Sequence, residues 1–461
     1  MMNLVDALRV GNRPRLAFVG SGGKTSALFR LARTIEPPVI LTATTHLATD
    51  QLSSADHLIQ VERRAGFGNI SRKKIRDVTL ITGSEIGNDR VEGVGDEIFK
   101  NILDLADAHG YPLLFEADGS RKLPLKAPDK HEPAIPSLES TVLTRDWLDG
   151  VVVVTGLSGL NKPLTAQWVH RPEHFAELSS LEPGENINTD ALGRVLVHQS
   201  GGLKNIPDQS RRILLLNQAD TDNLQAQAQR LVIGTSGQNR VLSAYDAVVI
   251  ASLAQDQISA VYESIAGIVL AAGESSRFGE PKQLLKWYGV PFVRQVASKA
   301  LDVGLNPVIV VVGAYRSEVA RAVEDLDVLV VENQSWKEGQ STSIKVGMEA
   351  LTRKAGATLF LLTDQPQVSK ELLIKLVETH AGSLSPIISP QIDGQRGNPV
   401  LFDRVTFPDL CGLKGDMGGR QLFSKYPITW VPWHDSSALL DVDTPEDYRK
   451  MVEMTSTRSI S

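Results

Sequence analysis

Short, unbroken apolar runs punctuate this chain, each followed by a turn containing Gly, Asp or Thr. In the first half they are Leu16–Val19, Val39–Leu41, Leu113–Phe115, Val151–Val154 and Ile213–Leu216. In the second half they are Ile268–Leu270, Val308–Val312, Val328–Val331 and Leu359–Leu362. Several are β-branched and do not alternate with polar residues, the pattern of strands buried on both faces in a parallel sheet covered by helices. Helical stripes lie between them, such as Leu28, Leu31, Ala32 and Ile35 at i, i+3, i+4 and i+7. Strand–helix alternation predicts an α/β architecture in both halves. The polar stretch Ala254–Gln257 leads into a fresh first strand at Gly267–Leu270, which places a boundary within Leu253–Ile265 and predicts domains over 1–258 and 262–461. The Ser/Thr-rich tail after Met454 is expected to be disordered.

Composition narrows the function classes. A chain of 461 residues exceeds one ordinary core. A net charge of −6 argues against nucleic acid as a partner, because phosphate neutralisation wants a basic face. The one cysteine, Cys411, excludes an intrachain disulfide and a multi-cysteine zinc site, and is expected to be a small buried or loop residue. No signal-peptide pattern is present, and no run approaches the roughly 18 apolar residues that would span a bilayer. A cytoplasmic protein with no membrane partner is the expectation.

The densest chemistry follows the strand at Ile268. Leu270, Ala271, Ala272 and Gly273 end it in small residues, where backbone can approach a ligand closely. Ser275 follows, and the loop offers amides to a polyphosphate. Arg277 and Lys282 can neutralise phosphate charge, one as a planar fork and the other as a mobile point charge. Two distant carboxylate motifs, at Asp364 and at Asp441-Val442-Asp443, offer hard oxygen ligands for Mg²⁺. Alternation along a short strand puts Asp441 and Asp443 on one face, so spacing does not choose between them. Asp443-Thr444-Pro445 also reads as an N-cap with a proline-led helix start.

The segment from Ile268 to Leu285 resembles the signature of the MobA-like nucleotidyltransferases, Leu-Ala-Ala-Gly-x-Ser-x-Arg-x-Gly followed by Pro-Lys, and the likeness continues through residues 267–448. It implies a Rossmann-like three-layer α/β/α domain. It also implies that Arg277, Lys282, Asp364 and Asp443 are catalytic, with Asp364, Asp443 and its rival Asp441 at the metal. Gly339-Gln340-Ser341-Thr342-Ser343 is similar to the family's turn beside the nucleotide, which assigns Ser341 and Ser343 to nucleotide binding. Arg396-Gly397-Asn398-Pro399 resembles a loop on the acceptor side, and Gly415–Arg420 a further loop. Within the superfamily the likeness is to molybdenum cofactor cytidylyltransferase, which implies CTP and molybdopterin as substrates. Asn398 departs from the His common there, whereas a guanylyltransferase would carry Asn at both positions where Asp441 and Asp443 stand.

The first half has its own loop. Leu16–Val19 leads into Gly20-Ser21-Gly22-Gly23-Lys24-Thr25 and a helix. Backbone amides there can hold phosphates, Lys24 can reach the terminal ones, and Thr25 can ligate Mg²⁺. This P-loop-like form predicts ATP or GTP held by Gly20, Gly22, Gly23, Lys24 and Thr25. Glu116 or Asp118, after another strand, could stand near the metal. Asn217-Gln218-Ala219-Asp220 reads either as a base-reading motif or as a turn, and Thr42, Thr44, Thr45 and His46 could line the same mouth. Arg121, Lys122, Lys126 and Lys130 read either as an anion site or as a solvated loop. His131 and Glu132 read as metal ligands or, lacking a second His at zinc-like spacing, as polar site lining.

The Gly20–Thr25 loop, Thr42–His46, the run from Glu116 to Pro133 and Gly201–Lys204 together resemble the YqeC family over residues 4–250. That likeness implies an accessory role toward an apo molybdenum hydroxylase client. The resulting expectation is a cytidylyltransferase fused to a nucleotide-binding accessory domain. The competing readings are transfer to a sugar or polyol phosphate, and a non-catalytic cofactor-insertion chaperone.

Overall fold

The computed structural model describes residues 2–61, 75–87, 89–137, 147–234, 240–275, 278–352, 354–416 and 418–458. The chain forms two compact units, Met1–Tyr262 and Glu263–Ser461. Both are mixed α/β, with sheets dominated by parallel pairs.

Among the described residues of the first unit, eight strands lie side by side in one sheet. They are β1 (Arg15–Gly20), β2 (Val39–Ala43), β3 (His57–Gln60), β4 (Val78–Thr82), β5 (Leu113–Glu116), β6 (Gly150–Gly156), β7 (Arg211–Asn217) and β8 (Ala247–Ser252). Their order is β3-β4-β2-β5-β1-β6-β7-β8, all parallel. β1 therefore has neighbours on both sides whose connections run in opposite directions. The crevice at its carboxyl end is where such sheets bind ligands. The helix after β1, α1 (Lys24–Thr34), buries Ala27, Leu28, Leu31 and Ala32. Ile35 does not continue the stripe. It is extended and caps the helix end, and Pro37 then disfavours helical backbone at Glu36, so the helix does not resume.

In the second unit the strands are β9 (Gln257–Ala271), β10 (Val308–Val312), β11 (Leu329–Glu332), β12 (Ala355–Leu362), β13 (Ile387–Ile392), β14 (Val400–Asp403) and β15 (Ile428–Trp433). The order is β11-β10-β9-β12-β14-β13-β15, with β14 antiparallel to both its neighbours. The order again reverses at the first strand, between β9 and β12, so both strand ends open onto one crevice. The run at Val328–Val331 was expected to be buried on both faces. Its strand β11 pairs only with β10 and is largely exposed, as an edge strand is.

Two local expectations change. A helix, α2 (Pro445–Arg458), runs past Met454, and the rest of the tail lies outside the described residues. Cys411 is exposed at the end of the short helix Phe407–Cys411. No helix among the described residues is long and apolar enough to cross a membrane.

Candidate functional site

The second unit holds a cavity of about 730 Å³ at the carboxyl ends of β9 and β12. Leu270, Ala272, Gly273 and Ser275 form one wall, and Lys282, Asp364 and Asp443 lie along it. Nothing lies within 4 Å of the point where a Cβ on Gly273 would stand. That space belongs to the cavity, and a side chain there would fill the cradle. The loop is clamped from beneath by Gln283, whose buried amide donates to the Ala271 carbonyl at 3.2 Å and the Gly273 carbonyl at 2.6 Å. Ser275 adopts a left-handed backbone (φ 57°) and accepts the Lys282 amide at 3.1 Å, which carries the chain back toward the cavity. Ala271 is buried and does not reach the wall. Arg277 lies outside the described residues.

Lys282 organises the carboxylates. Its ammonium lies 2.6 Å from Asp443 Oδ1 and 3.4 Å from Asp364 Oδ2. Burial works against the ammonium, but the bond to Asp443 and the charges of Asp364 and Asp443 outweigh it and hold its pKa above the ordinary value. Burial pushes the Asp364 carboxyl up; Lys282 opposes this, and Asp441 and Asp443 reinforce it. Asp364 Oδ1 is buried with no hydrogen-bond partner among the described residues. Asp441 is turned away. It accepts from the Gln365 amide and does not line the cavity. The geometry thus separates the two closing aspartates that spacing left equivalent. The helix cap belongs to Thr444, which is reciprocally bonded with Asp447, so Asp443 is left for Lys282. Among the described residues, no preassembled group of three or more His, Cys, Asp or Glu side chains could hold a metal.

The turn that carries Asp364 is anchored on two sides. Gln367 donates to the Ser437 and Leu440 carbonyls, at 3.0 and 2.6 Å. The Val442 amide donates to the Asp364 carbonyl at 3.1 Å. From the helix Phe292–Asp302, Lys299 donates to the Pro366 and Val368 carbonyls. Burial pushes its pKa down to about 8. Sequence reasoning missed Lys299, Gln283 and Gln367, because nothing local marks a residue whose partners are backbone carbonyls far along the chain. Lys299→Met is expected to lower unfolding stability by about 1–3 kcal/mol, since it strands two carbonyls. Chemical denaturation followed by far-ultraviolet circular dichroism measures this.

The opposite wall is the start of the helix Gln340–Glu349, whose first amides donate to the Asp416 carboxylate at 3.4 Å and the Gly415 carbonyl at 3.3 Å. Gly339, Gln340 and Ser343 line the cavity there, with Trp336 and Lys337 beside them. Ser341 is buried and off the wall. The Ser343 hydroxyl accepts from Asn333 at 2.9 Å.

A second cavity of about 410 Å³ shares Leu270, Gln340, Leu362 and Asp416 with the first. Arg396, Asn398 and Arg420 line it together with Phe360, Phe402 and Phe423. The Arg396 guanidinium lies 5.0 Å from the centroid of the Phe423 ring. Burial and then the Arg420 charge lower its pKa. Gly397 is buried behind this wall, its amide donating to the Pro390 carbonyl at 2.9 Å.

The first unit has its own cavity, of about 780 Å³, at the carboxyl end of β1. Gly22, Gly23, Lys24 and Thr25 line it; Gly20 packs behind. Gly22 has φ +74°, and a Cβ there would lie 2.2 Å from the Gly156 backbone. Only glycine lets the loop pass β6 so closely. Lys24 is buried and bonds the Gly20 carbonyl at 2.8 Å and the Ser120 hydroxyl at 3.2 Å. Its ammonium is 3.1 Å from Asp118 and 3.5 Å from Glu116. Burial lowers its pKa, but these two carboxylates raise it by more. Thr45, His46, Arg121 and Lys122 also face the cavity, whereas Thr42 and Thr44 spend their hydroxyls on the Ile81 and Ala134 carbonyls.

The basic loop divides. Lys126 is buried between Asp118 and Glu132, at 2.8 Å from each, and is not solvated. Lys130 and His131 are exposed and off the cavity. Arg171 holds Glu132 from the other side at 2.8 Å. Burial raises the Glu132 pKa, but Arg171 and Lys126 pull it down to about 2. Burial and then Arg171 push His170 down to about 4. His170 and Arg171 were not visible in sequence; they arrive through the short strand Val169–His170, paired with Leu125–Lys126. The Asn217 side chain is consumed by the Gly22 carbonyl at 2.7 Å and the Leu253 amide at 3.1 Å, so it braces the loop and does not read a base.

A carboxyl with a lowered native pKa stabilises the fold above its unfolded pKa and loses that contribution as pH falls through the native value. Glu132 therefore stabilises at neutral pH and ceases to do so between its ordinary 4.5 and about 2. Glu132→Gln is expected to flatten the acid limb of a pH–stability curve in that window, read by denaturant midpoints at stepped pH.

The second unit's acidic cavity at a sheet switch point, with Lys282 between two carboxylates, lies in the part of the chain that is a nucleotidyltransferase by family. Residues 267–429 match the MobA-like NTP transferase domain, and residues 16–173 match the YqeC protein family. The chain belongs to both families, one in each unit. Its first part is 30% identical over 234 residues to the uncharacterized protein YqeC of Escherichia coli K12, covering 50% of this chain and 86% of that protein. Its second part is 32% identical over 197 residues to purine catabolism protein PucB of Bacillus subtilis, covering 40% of this chain and 93% of that one. It is also 32% identical over 202 residues to a probable molybdenum cofactor guanylyltransferase of Bacillus cytotoxicus, covering 41% of this chain and 97% of that protein.

Proposed function

We propose that the second unit transfers a nucleoside monophosphate, with CTP as donor, to the phosphate of molybdopterin. The observation that carries this reading is Lys282 held between Asp364 and Asp443, beside a cavity walled by arginines and phenylalanines. Planar heterocycles stack on aromatic rings and on guanidinium planes, and phosphate takes forked contacts from arginine. Arg396 and Arg420 would receive the acceptor phosphate, and Phe402 and Phe423 would pack against the ring system.

The donor cavity is acidic. Among the described residues, Glu274, Glu338, Asp364, Asp416 and Asp443 line it against Lys282 and Lys337. A triphosphate entering alone would meet repulsion. The orphaned Asp364 oxygen, and the ammonium already bridging Asp364 and Asp443, fit a divalent cation such as Mg²⁺ held by those two carboxylates. When bound, it would neutralise phosphate and pyrophosphate charge. The Gly273 loop amides would orient the phosphates. An acceptor phosphate oxygen then attacks the α-phosphorus, and the bond to the bridging oxygen breaks with release of pyrophosphate. The acceptor is largely dianionic near neutrality, its second pKa being about 6, so no general base is needed.

The donor reading rests on Asp at both positions of the closing motif. GTP is the second reading, favoured by the named activity of the Bacillus cytotoxicus relative. Pyrophosphate release from CTP, GTP and ATP with molybdopterin, and with sugar phosphates, distinguishes them. CTP with molybdopterin is expected to give the highest kcat/KM; release only with sugar phosphates would overturn the acceptor, and a preference for GTP the donor. For the first unit we infer a nucleotide-binding accessory role, with ATP or GTP, in maturation of a molybdenum hydroxylase client. Its support is the P-loop-like cavity and the shared chain.

A further inference from the structure

We propose that Lys299, on the reading of the second unit given above, is a positioning residue for nucleotidyl transfer: its ammonium keeps the turn after Asp364 in register with the Lys282 segment and the acceptor loop.

Three segments carry the site, and Lys299 meets all of them. It stands on the helix Phe292–Asp302, beside the buried Val296. Its ammonium donates to the Pro366 carbonyl at 2.5 Å and the Val368 carbonyl at 2.9 Å. Both carbonyls belong to the turn that leaves β12 at Asp364. On a second side the ammonium lies 5.3 Å from the centroid of the Trp287 ring. Trp287 sits in the hairpin Lys286–Trp287 with Val290–Pro291, just after Lys282. Its indole nitrogen is buried with no hydrogen-bond partner among the described residues, so the ring is held by its face and not by its N–H. On the third side, Pro399 lines a small pocket together with Lys299, Gln365 and Pro366. Pro399 directly follows Asn398, which lines the acceptor cavity.

A neutral side chain could fill this space but could not hold it together. Two carbonyls that converge on one point repel each other, and a cation between them reverses that. Charge-assisted hydrogen bonds are also roughly twice as strong as neutral ones. Without the ammonium the turn relaxes and Asp364 moves with it. A misplacement of about 1 Å costs in-line chemistry about 100-fold. The loop that cradles the triphosphate lies on another segment, so the loss should fall on kcat and spare donor binding.

The ammonium can also be titrated away. Burial pushes its pKa down to about 8; Lys370 adds to this and Glu371 opposes it, both from the helix Lys370–Ser383. Among the described residues, no charged group reaches it from the hairpin, the turn or Pro399. Below that pH the cation is present and the turn is held. Above it a neutral amine makes weaker bonds, so kcat falls on the alkaline side.

The test is initial rates of pyrophosphate release by the full chain from about pH 6 to 9.5, with CTP, Mg²⁺ and molybdopterin, beside CTP binding by calorimetry. Lys299→Met is expected to lower kcat at neutral pH by about 10–100-fold, to leave CTP affinity within about twofold, and to lose the alkaline fall, so that parent and variant approach each other above pH 9. Lys299→Arg keeps a permanent charge; it should retain most of kcat and carry activity past pH 8. A lysine that served only the fold would scale the whole profile with the folded fraction, read by circular dichroism, and leave its shape alone. No alkaline fall in the parent, an unchanged fall in Lys299→Met, or a loss confined to CTP affinity would overturn the assignment. A parent chain that releases no pyrophosphate from any triphosphate would instead remove the transfer reading itself, and the assignment with it.

Discussion

Asp364→Asn is expected to lower kcat for pyrophosphate release by about 10²–10³-fold and, at neutral pH, to raise the unfolding midpoint. Both effects come from one carboxylate. Asp364 stands at the end of β12 with one oxygen unpartnered and the other near Lys282. Burial raises its pKa above the ordinary 3.8. A carboxyl whose native pKa is raised costs the fold stability once pH passes its unfolded pKa, and the cost grows as pH climbs through the native value. Removing the charge therefore stabilises the fold above pH 3.8 and has no such effect below it. Thermal melts of parent and variant at stepped pH, alongside initial rates, check both halves. A variant that lost activity and melted lower at neutral pH would mean that Asp364 serves the fold.

Lys282→Met is expected to cut kcat/KM by about 10²–10³-fold, the scale of removing one preorganised phosphate contact. Lys282→Arg should restore little, because a forked guanidinium does not reproduce a compact ammonium between two carboxylates. The stability effect has the opposite sign to that of Asp364. Breaking a fully buried pair costs about 3–5 kcal/mol. Asp443 is 52% exposed, so water screens part of the loss, and a fall of about 1–2 kcal/mol is expected. The variant leaves Asp364 and Asp443 without the cation that balances them. Added Mg²⁺ should therefore raise its melting midpoint by more than it raises the parent's. Equal shifts in the two would argue against a shared cation position.

The donor loop could be read from sequence because its parts are contiguous. A strand, small residues, Ser275 and Lys282 follow one another, and the sheet places them at its switch point. Choosing between Asp441 and Asp443 required structure. Strand alternation treats them alike, and the deciding group is Gln365, on another segment. The same holds for Lys126, which sequence left between an anion site and a solvated loop and which Asp118 and Glu132 hold buried. The strand at Val328–Val331 was visible, but its place at the sheet edge was not, since β-branched composition does not report strand order. Strands β3, β4, β8, β13, β14 and β15 went unread. In β15, a proline and exposed tryptophan interrupt any buried pattern. The proline-led start of the last helix was legible at Asp443-Thr444-Pro445, with Thr444 as the cap; the Ser/Thr-rich stretch beyond it gives no sign that the helix runs on to Arg458.

The most direct test of nucleotidyl transfer follows phosphorus from CTP labelled at the α-phosphate, with Mg²⁺, molybdopterin and the full chain. The label is expected in a molybdopterin dinucleotide, with one pyrophosphate released per product and none without acceptor. Label remaining in CTP or appearing only in free CMP, with no dinucleotide formed, would contradict the account.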